Sequence, residues 1–148
     1  MKKIILLTLI FVLAACSMGG SELSRNQQKW NDANITHYRF GLNIGCFCAF
    51  RDQMPLTVEV RDDQVVSLTN ADGTQVLDTD PNYAYFAPYA TIDLLFAEIE
   101  KATHDGADSI TVTYDSTYGF PAEIAIDPSK QIADEEMYYS VTNFEPLQ

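Results

Sequence analysis

The chain has 148 residues, with 21 acidic against nine basic side chains and a formal charge of −12 at pH 7. A protein this acidic is repelled by nucleic acid and by anionic lipid headgroups, which excludes both as electrostatic partners. Its length suits one domain built around one core.

At the N-terminus Lys2 and Lys3 precede an apolar run over residues 4–15. A bilayer span needs roughly 20 apolar residues, so this run is too short to cross and reads as the core of a secretory signal. Its end, Leu13-Ala14-Ala15-Cys16, resembles the lipobox of bacterial lipoproteins. That resemblance implies a signal peptide over residues 1–15, diacylglycerol on the Cys16 thiol, cleavage before Cys16 and acylation of the new amine. Two or more chains anchor stably, at about 0.8 kcal/mol per buried methylene. An ordinary signal peptide cut near Ala15 is the alternative. Ser17 stands where inner-membrane retention favours Asp, which by the same resemblance implies the periplasmic face of the outer membrane. Residues 16–22, with Gly19 and Gly20, read as a flexible tether, and residues 23–148 as the domain.

Ser24 and Gln27 match a capping box, which predicts a helix over residues 25–33 held to the domain by Trp30. Next comes the clearest alternation in the chain. Tyr38, Phe40, Leu42, Ile44, Cys46, Cys48 and Phe50 share one parity, and His37, Arg39, Gly41, Asn43 and Gly45 share the other. A strand with the first set inward follows, with a bend near Gly45 and His37 at the surface. Residues 56–60 and 65–68 read as a hairpin turned at Asp62-Asp63. After a turn-rich stretch, residues 81–89 form an aromatic loop between prolines. Thr91 is an N-cap, Ile92, Leu95, Phe96 and Ile99 follow at helical spacing, and Gly106 supplies the stop, so a helix spans residues 92–103. Ile110, Val112 and Tyr114 alternate with Thr111 and Thr113, and beyond a turn at Gly119 so do Phe120, Ala122, Ile124 and Ile126. Pro121 lacks an N–H and marks an edge or an irregularity. A last strand covers residues 137–144. The predicted fold is α+β: an antiparallel sheet of five or six strands with two helices packed on one face.

These segments together carry a resemblance. Tyr38-Arg39-Phe40, Cys46-Phe47-Cys48, Tyr114-Asp115-Ser116-Thr117-Tyr118-Gly119-Phe120-Pro121 and Tyr139-Ser140-Val141-Thr142-Asn143-Phe144 resemble a family of bacterial lipoproteins catalogued as a domain of unknown function. The resemblance implies a small secreted module and brings no catalytic residue with it.

With Cys16 lipidated, Cys46 and Cys48 remain as a pair in an oxidising compartment. Neighbours on one strand face lie roughly 6.5 Å apart, whereas disulfide Cβ atoms lie about 3.8 Å apart, so a bridge demands a bend. A local disulfide, two buried thiols, and a metal or redox site all stay open. Zinc would need two further ligands, and His37 and His104 are the only histidines. Asp72, Asp78 and Asp80, and likewise Asp127, Asp134, Glu135 and Glu136, are clustered but lack a calcium-loop pattern and read as solvated acidic surface. Tyr83, Tyr85, Phe86 and Tyr89 are the candidate surface for a protein, peptide or glycan partner, unless the loop folds back over the sheet. Tyr138 and Tyr139 share that ambiguity, because one of the two must face out. No catalytic motif is present, so the expectation is a non-enzymatic binding module without cofactor. The alternative is a thiol-redox or metal protein acting through Cys46 and Cys48.

Overall fold

The computed structural model describes residues 21–148. The signal peptide over residues 1–15, the lipidation site Cys16 and the tether as far as residue 20 lie outside the described residues.

The first helix, α1 (Glu22–Ala33), starts three residues before the expected start at residue 25. Ser21, not Ser24, is the cap: its side chain accepts the Ser24 N–H at 3.2 Å. Ser24 turns its own hydroxyl back to donate to Ser21 O at 3.0 Å, so it reinforces the turn it was expected to begin. The strands are β1 (His37–Gly45), β2 (Leu56–Arg61), β3 (Gln64–Thr69), β4 (Ser109–Tyr114), β5 (Pro121–Asp127) and β6 (Met137–Pro146). They form one antiparallel sheet in the order β3-β2-β1-β6-β5-β4. The domain is therefore α+β, two three-stranded meanders joined side by side at β1 and β6. Between them α2 (Tyr83–Phe86), a short 3-10 turn and α3 (Ile92–Asp105) carry the chain from the β3 edge to the β4 edge.

Alternation decides what this sheet buries. Tyr38, Phe40, Leu42 and Ile44 of β1, Leu56, Val58 and Val60 of β2, and Ile124 and Ile126 of β5 are all buried. They form one face with Tyr139 and Val141 of β6, and the helices cover it. Full burial of each large apolar side chain stabilises the fold by roughly 1.5–3 kcal/mol. Thr91 caps α3 by accepting the Leu94 N–H at 3.1 Å, and the Tyr38 hydroxyl accepts the neighbouring Ile92 N–H at 3.2 Å. Burial keeps that hydroxyl protonated well beyond the usual phenol range. Gly106 closes α3 at φ +77°.

Two irregularities matter. Between Arg39 and Gly41 the β1–β6 register slips by one residue, with Asn143 of β6 at φ +50°. This bulge returns Phe144 to the covered side, where its ring centroid lies 4.6 Å from Phe120 and 5.8 Å from Trp30. Pro121 pairs with Tyr114 where the β4–β5 register slips, a position that tolerates a missing N–H. Around the turn before it, Asp115 Oδ1 accepts the N–H groups of Thr117 at 2.9 Å and Tyr118 at 2.6 Å. Gly119 faces α1 so closely that a Cβ there would lie 2.6 Å from Asn26 O, and the Lys29 ammonium donates to Ser116 O. The Tyr-Asp-x-x-Tyr-Gly-Phe-Pro segment is thus the seat on which α1 rests.

Candidate binding groove on the open face

Among the described residues no helix lies over the opposite face of the sheet. Its register aligns two rows of side chains across β4, β5, β6 and β1: Thr113, Glu123, Ser140, Asn43 in one, and Thr111, Ala125, Tyr138, Gly45 in the next. Only Glu123 and Tyr138 are long. Short side chains on a sheet that twists leave a hollow, and these rows floor a groove of about 530 Å³. At its end a Cβ on Gly45 would lie 3.2 Å from Tyr138 Cβ, so Tyr138 leans over the space that glycine leaves. Tyr138 is 55% exposed, whereas Tyr139 beside it is buried. Alternation at this pair sends Tyr138 to the groove and Tyr139 to the core.

Beyond Gly45 the chain leaves the sheet, so the inward parity expected to run on to Phe50 stops at Ile44 as strand structure. Cys46 and Cys48 form a disulfide with Cα atoms 5.2 Å apart, closer than an extended strand allows. The ring turns Phe47 outward, 79% exposed. A second hollow, lined by Gly45, Cys46, Phe47, Arg51, Asp134, Glu136 and Tyr138, continues from the groove. A third, on the β4–β5 side of Tyr138, is lined by Ser109, Asp127 and Glu136 among others. Tyr138 stands at the junction of all three. Around it are the carboxylates of Glu123, Asp127, Asp134 and Glu136, with Arg51 the one cationic side chain among the lining residues.

The rest of the open face, towards β2, is occupied by paired charges. His37 meets Glu59 at 2.9 Å and Arg39 meets Glu145 at 2.8 Å. The His37 contact is the main reason that the Glu59 carboxyl ionises below its ordinary range.

The aromatic candidates lie on the other side of the sheet. Their segment is helical rather than a loop, and its period of three to four turns Tyr83, Phe86 and Tyr89 inward together. Phe86 is fully buried, in T-shaped contact with Phe50 at 5.0 Å, and this corrects its place among the partner-binding residues. Tyr89 is half-buried with its ring 4.7 Å from Tyr139. Only Tyr85 projects, at 59% exposure. Beneath α3, burial raises Glu98 above the usual carboxylate range, and burial with Tyr89 beside it holds the Tyr139 hydroxyl protonated.

Of the acidic candidates, Asp72 accepts the Thr74 N–H and Asp80 the Asn82 N–H, each at 2.8 Å, so both shape turns. Among the described residues no three or more His, Cys, Asp or Glu side chains are grouped to hold a metal ion. The groove residues escaped the sequence reading because attention follows the inward parity of a strand. Their signal was in the other parity, where Thr111, Thr113, Ala125, Ser140 and Asn43 replace the long charged side chains that ordinarily cover an open face.

A model of a family of unknown function, DUF6174, matches residues 22–146, and the chain belongs to that family. No curated protein and no solved structure matches the chain.

Proposed function

We propose that this DUF6174 member is a non-catalytic binding module of the bacterial cell envelope. It is tethered by lipid on Cys16 to the periplasmic face of the outer membrane, and recognises an envelope protein, peptide or glycan through the open face of its sheet. The observation that carries the reading is the groove itself: a hollow floored by hydroxyl, amide and glycine, with an exposed tyrosine at its end. Tyrosine offers rigid contact area with a polar tip, and short polar neighbours adapt their hydrogen bonds to a partner. Its one carboxylate, Glu123, faces Thr113 Oγ1 at 3.5 Å, and no third lining side chain orients the pair for nucleophilic attack.

The Cys46–Cys48 disulfide favours a second reading, thiol-redox or metal chemistry at that pair, because the ring borders the same hollow as Tyr138. Replacing both cysteines by Ser separates the two: a binding module keeps its partner, whereas a redox or metal protein loses its function.

Two experiments test the main reading. Cys16→Ala is expected to move the protein from the membrane to the soluble fraction and to remove the lipid from its intact mass; unchanged fractionation contradicts the anchor. A photo-crosslinking amino acid at position 138 is expected to trap a discrete species in the envelope, and the same probe at position 85 none. Crosslinks at 85 alone would return the binding surface to the aromatic segment.

A further inference from the structure

The sheet has two edges, and they are finished differently. At the β3 edge the chain doubles back: Thr69 bridges to Gln75, and Val76 N–H donates to Leu68 O at 2.8 Å. Among the described residues nothing comparable covers β4, which pairs with β5 alone. Natural edges are commonly blunted by Lys, Pro or a bulge. From Ser109 to Thr113, β4 has none of these; its register slip comes only at Tyr114.

The phase of its free groups follows from one bond. Leu147 N–H donates to His37 O at 2.8 Å, so Arg39 and alternate residues as far as Gly45 bond β6, Tyr139 and Met137 of β6 bond β5, and Glu123, Ala125 and Asp127 of β5 bond β4. Bonded residues alternate along an antiparallel strand, so Ser109, Thr111 and Thr113 turn their backbone groups toward β5, and Ile110 and Val112 turn theirs outward. The residues beside these in the strand, Thr111 and Thr113, turn their side chains into the groove. The open backbone edge and the groove are one continuous surface.

Its charge selects the occupant. The strands β4, β5 and β6 contain no Lys or Arg. Glu123 is the one charged side chain in the groove, Asp108 and Asp115 flank β4, and Asp127 and Glu136 line the adjoining hollow. A second copy of this chain pairing edge to edge would bring those carboxylates against their own images, and like charges across a strand pair are destabilising.

The geometry points to strand addition: an extended, cationic peptide segment of a partner pairs with the outer edge of β4 and turns alternate Lys or Arg side chains over Thr111 and Thr113 toward Glu123. Backbone bonds to Ile110 and Val112 supply affinity that does not depend on sequence, and the acidic groove supplies selection by charge. This rests on the open face being the binding surface and names the class of partner it takes.

The test uses the processed protein in detergent and three probes: a blocked peptide alternating Lys and Val, its counterpart with Glu for Lys, and pentalysine. Hydrogen exchange is read residue by residue. The Lys–Val peptide is expected to slow exchange at Ile110 and Val112 by tenfold or more, and the Glu–Val peptide to leave it unchanged. Val112→Pro, which removes an outward N–H, is expected to weaken binding at least tenfold while Ile124 and Tyr139 keep their protection. Glu123→Lys, which spares the backbone, is expected to do the same should the proline variant misfold. Pentalysine binding as tightly as the Lys–Val peptide would overturn the proposal in favour of plain charge attraction. So would protection of β4 without peptide that rises with protein concentration alongside a dimer in sedimentation, which makes a second copy the occupant. Envelope crosslinks at position 138 that persist in Val112→Pro overturn strand addition alone. Their absence from the otherwise unaltered protein removes the open-face reading itself.

Discussion

The two faces of this sheet are built from the same strands and do opposite things. On the covered face, β1 presents Tyr38, Phe40, Leu42 and Ile44, all buried; on the open face it presents Arg39, Gly41, Asn43 and Gly45. β6 divides in the same way, Tyr139 and Val141 inward, Tyr138, Ser140 and Thr142 outward. The covered face is crowded with rings, and removing one leaves a hole. The open face is short-chained around one ring, and the hole is already there. Stability is concentrated on one side, and the capacity to take a partner on the other.

The largest expected effect is on the crowded side. Phe86→Ala removes a fully buried ring and should cost about 3–5 kcal/mol, read as a fall in the urea midpoint at unchanged slope. A loss under about 1 kcal/mol would mean that α2 is a detachable flap and not part of the core.

The next contrast is between two glycines with positive φ. At Gly119 a side chain meets Asn26 O at 2.6 Å and Lys29 Cβ at 3.0 Å, so Gly119→Ala should push α1 off its seat and cost about 2 kcal/mol or more. Nothing lies within 4 Å of a Cβ at Gly106, so Gly106→Ala should cost only the backbone strain, about 1 kcal/mol. Equal losses would show that the turn does not carry the helix.

A smaller contrast lies in pH. Glu98, raised by burial on the covered side, contributes stability that is complete below the ordinary carboxylate range and is lost as pH rises through its raised pKa. Glu59, lowered chiefly by its bond to His37 on the open side, contributes stability present above that range and lost as pH falls through its lowered pKa. In thermal melts between about pH 3 and 7, Glu98→Gln should therefore gain on the parent as pH rises, and Glu59→Gln should fall behind it. Parallel curves for the two variants would contradict these environments.

The smallest effect on stability belongs to the groove. Tyr138→Ala and Thr113→Ala should each change stability by no more than about 0.5 kcal/mol, because both side chains already meet water. A large loss from either would make the groove part of the scaffold.

Much of the covered face was legible in the sequence because burial imposes a period. Tyr38 to Ile44, Val58 and Val60, and Ile92 to Ile99 could be read as inward-facing from spacing alone, and Thr91 and Gly106 marked the ends of α3. Three features resisted, each for a local reason. Ser21 outcompetes Ser24 as a cap, a choice between two similar hydroxyls. The bulge at Asn143 shifts the parity of β6, so Phe144 reaches the core only once the register with β1 is known. Phe86 lies in a proline-bounded stretch that looks like a loop until its three-residue period is noticed. The groove was the least legible part. It depends on which strands are neighbours, and β1 meets β6 across nearly the whole length of the chain.

The measurement that tests the division between the faces most directly is cysteine accessibility in the envelope against that in the purified protein. Thr111→Cys places a thiol in the groove and Leu94→Cys places one on exposed α3, while Cys46 and Cys48 are bridged and silent to maleimide. Both thiols should label freely in the purified protein. In the envelope, Thr111→Cys should be protected at least severalfold and Leu94→Cys should label as before. Free labelling at position 111 with protection at position 94 would contradict it, placing the partner over the helices and leaving the groove empty.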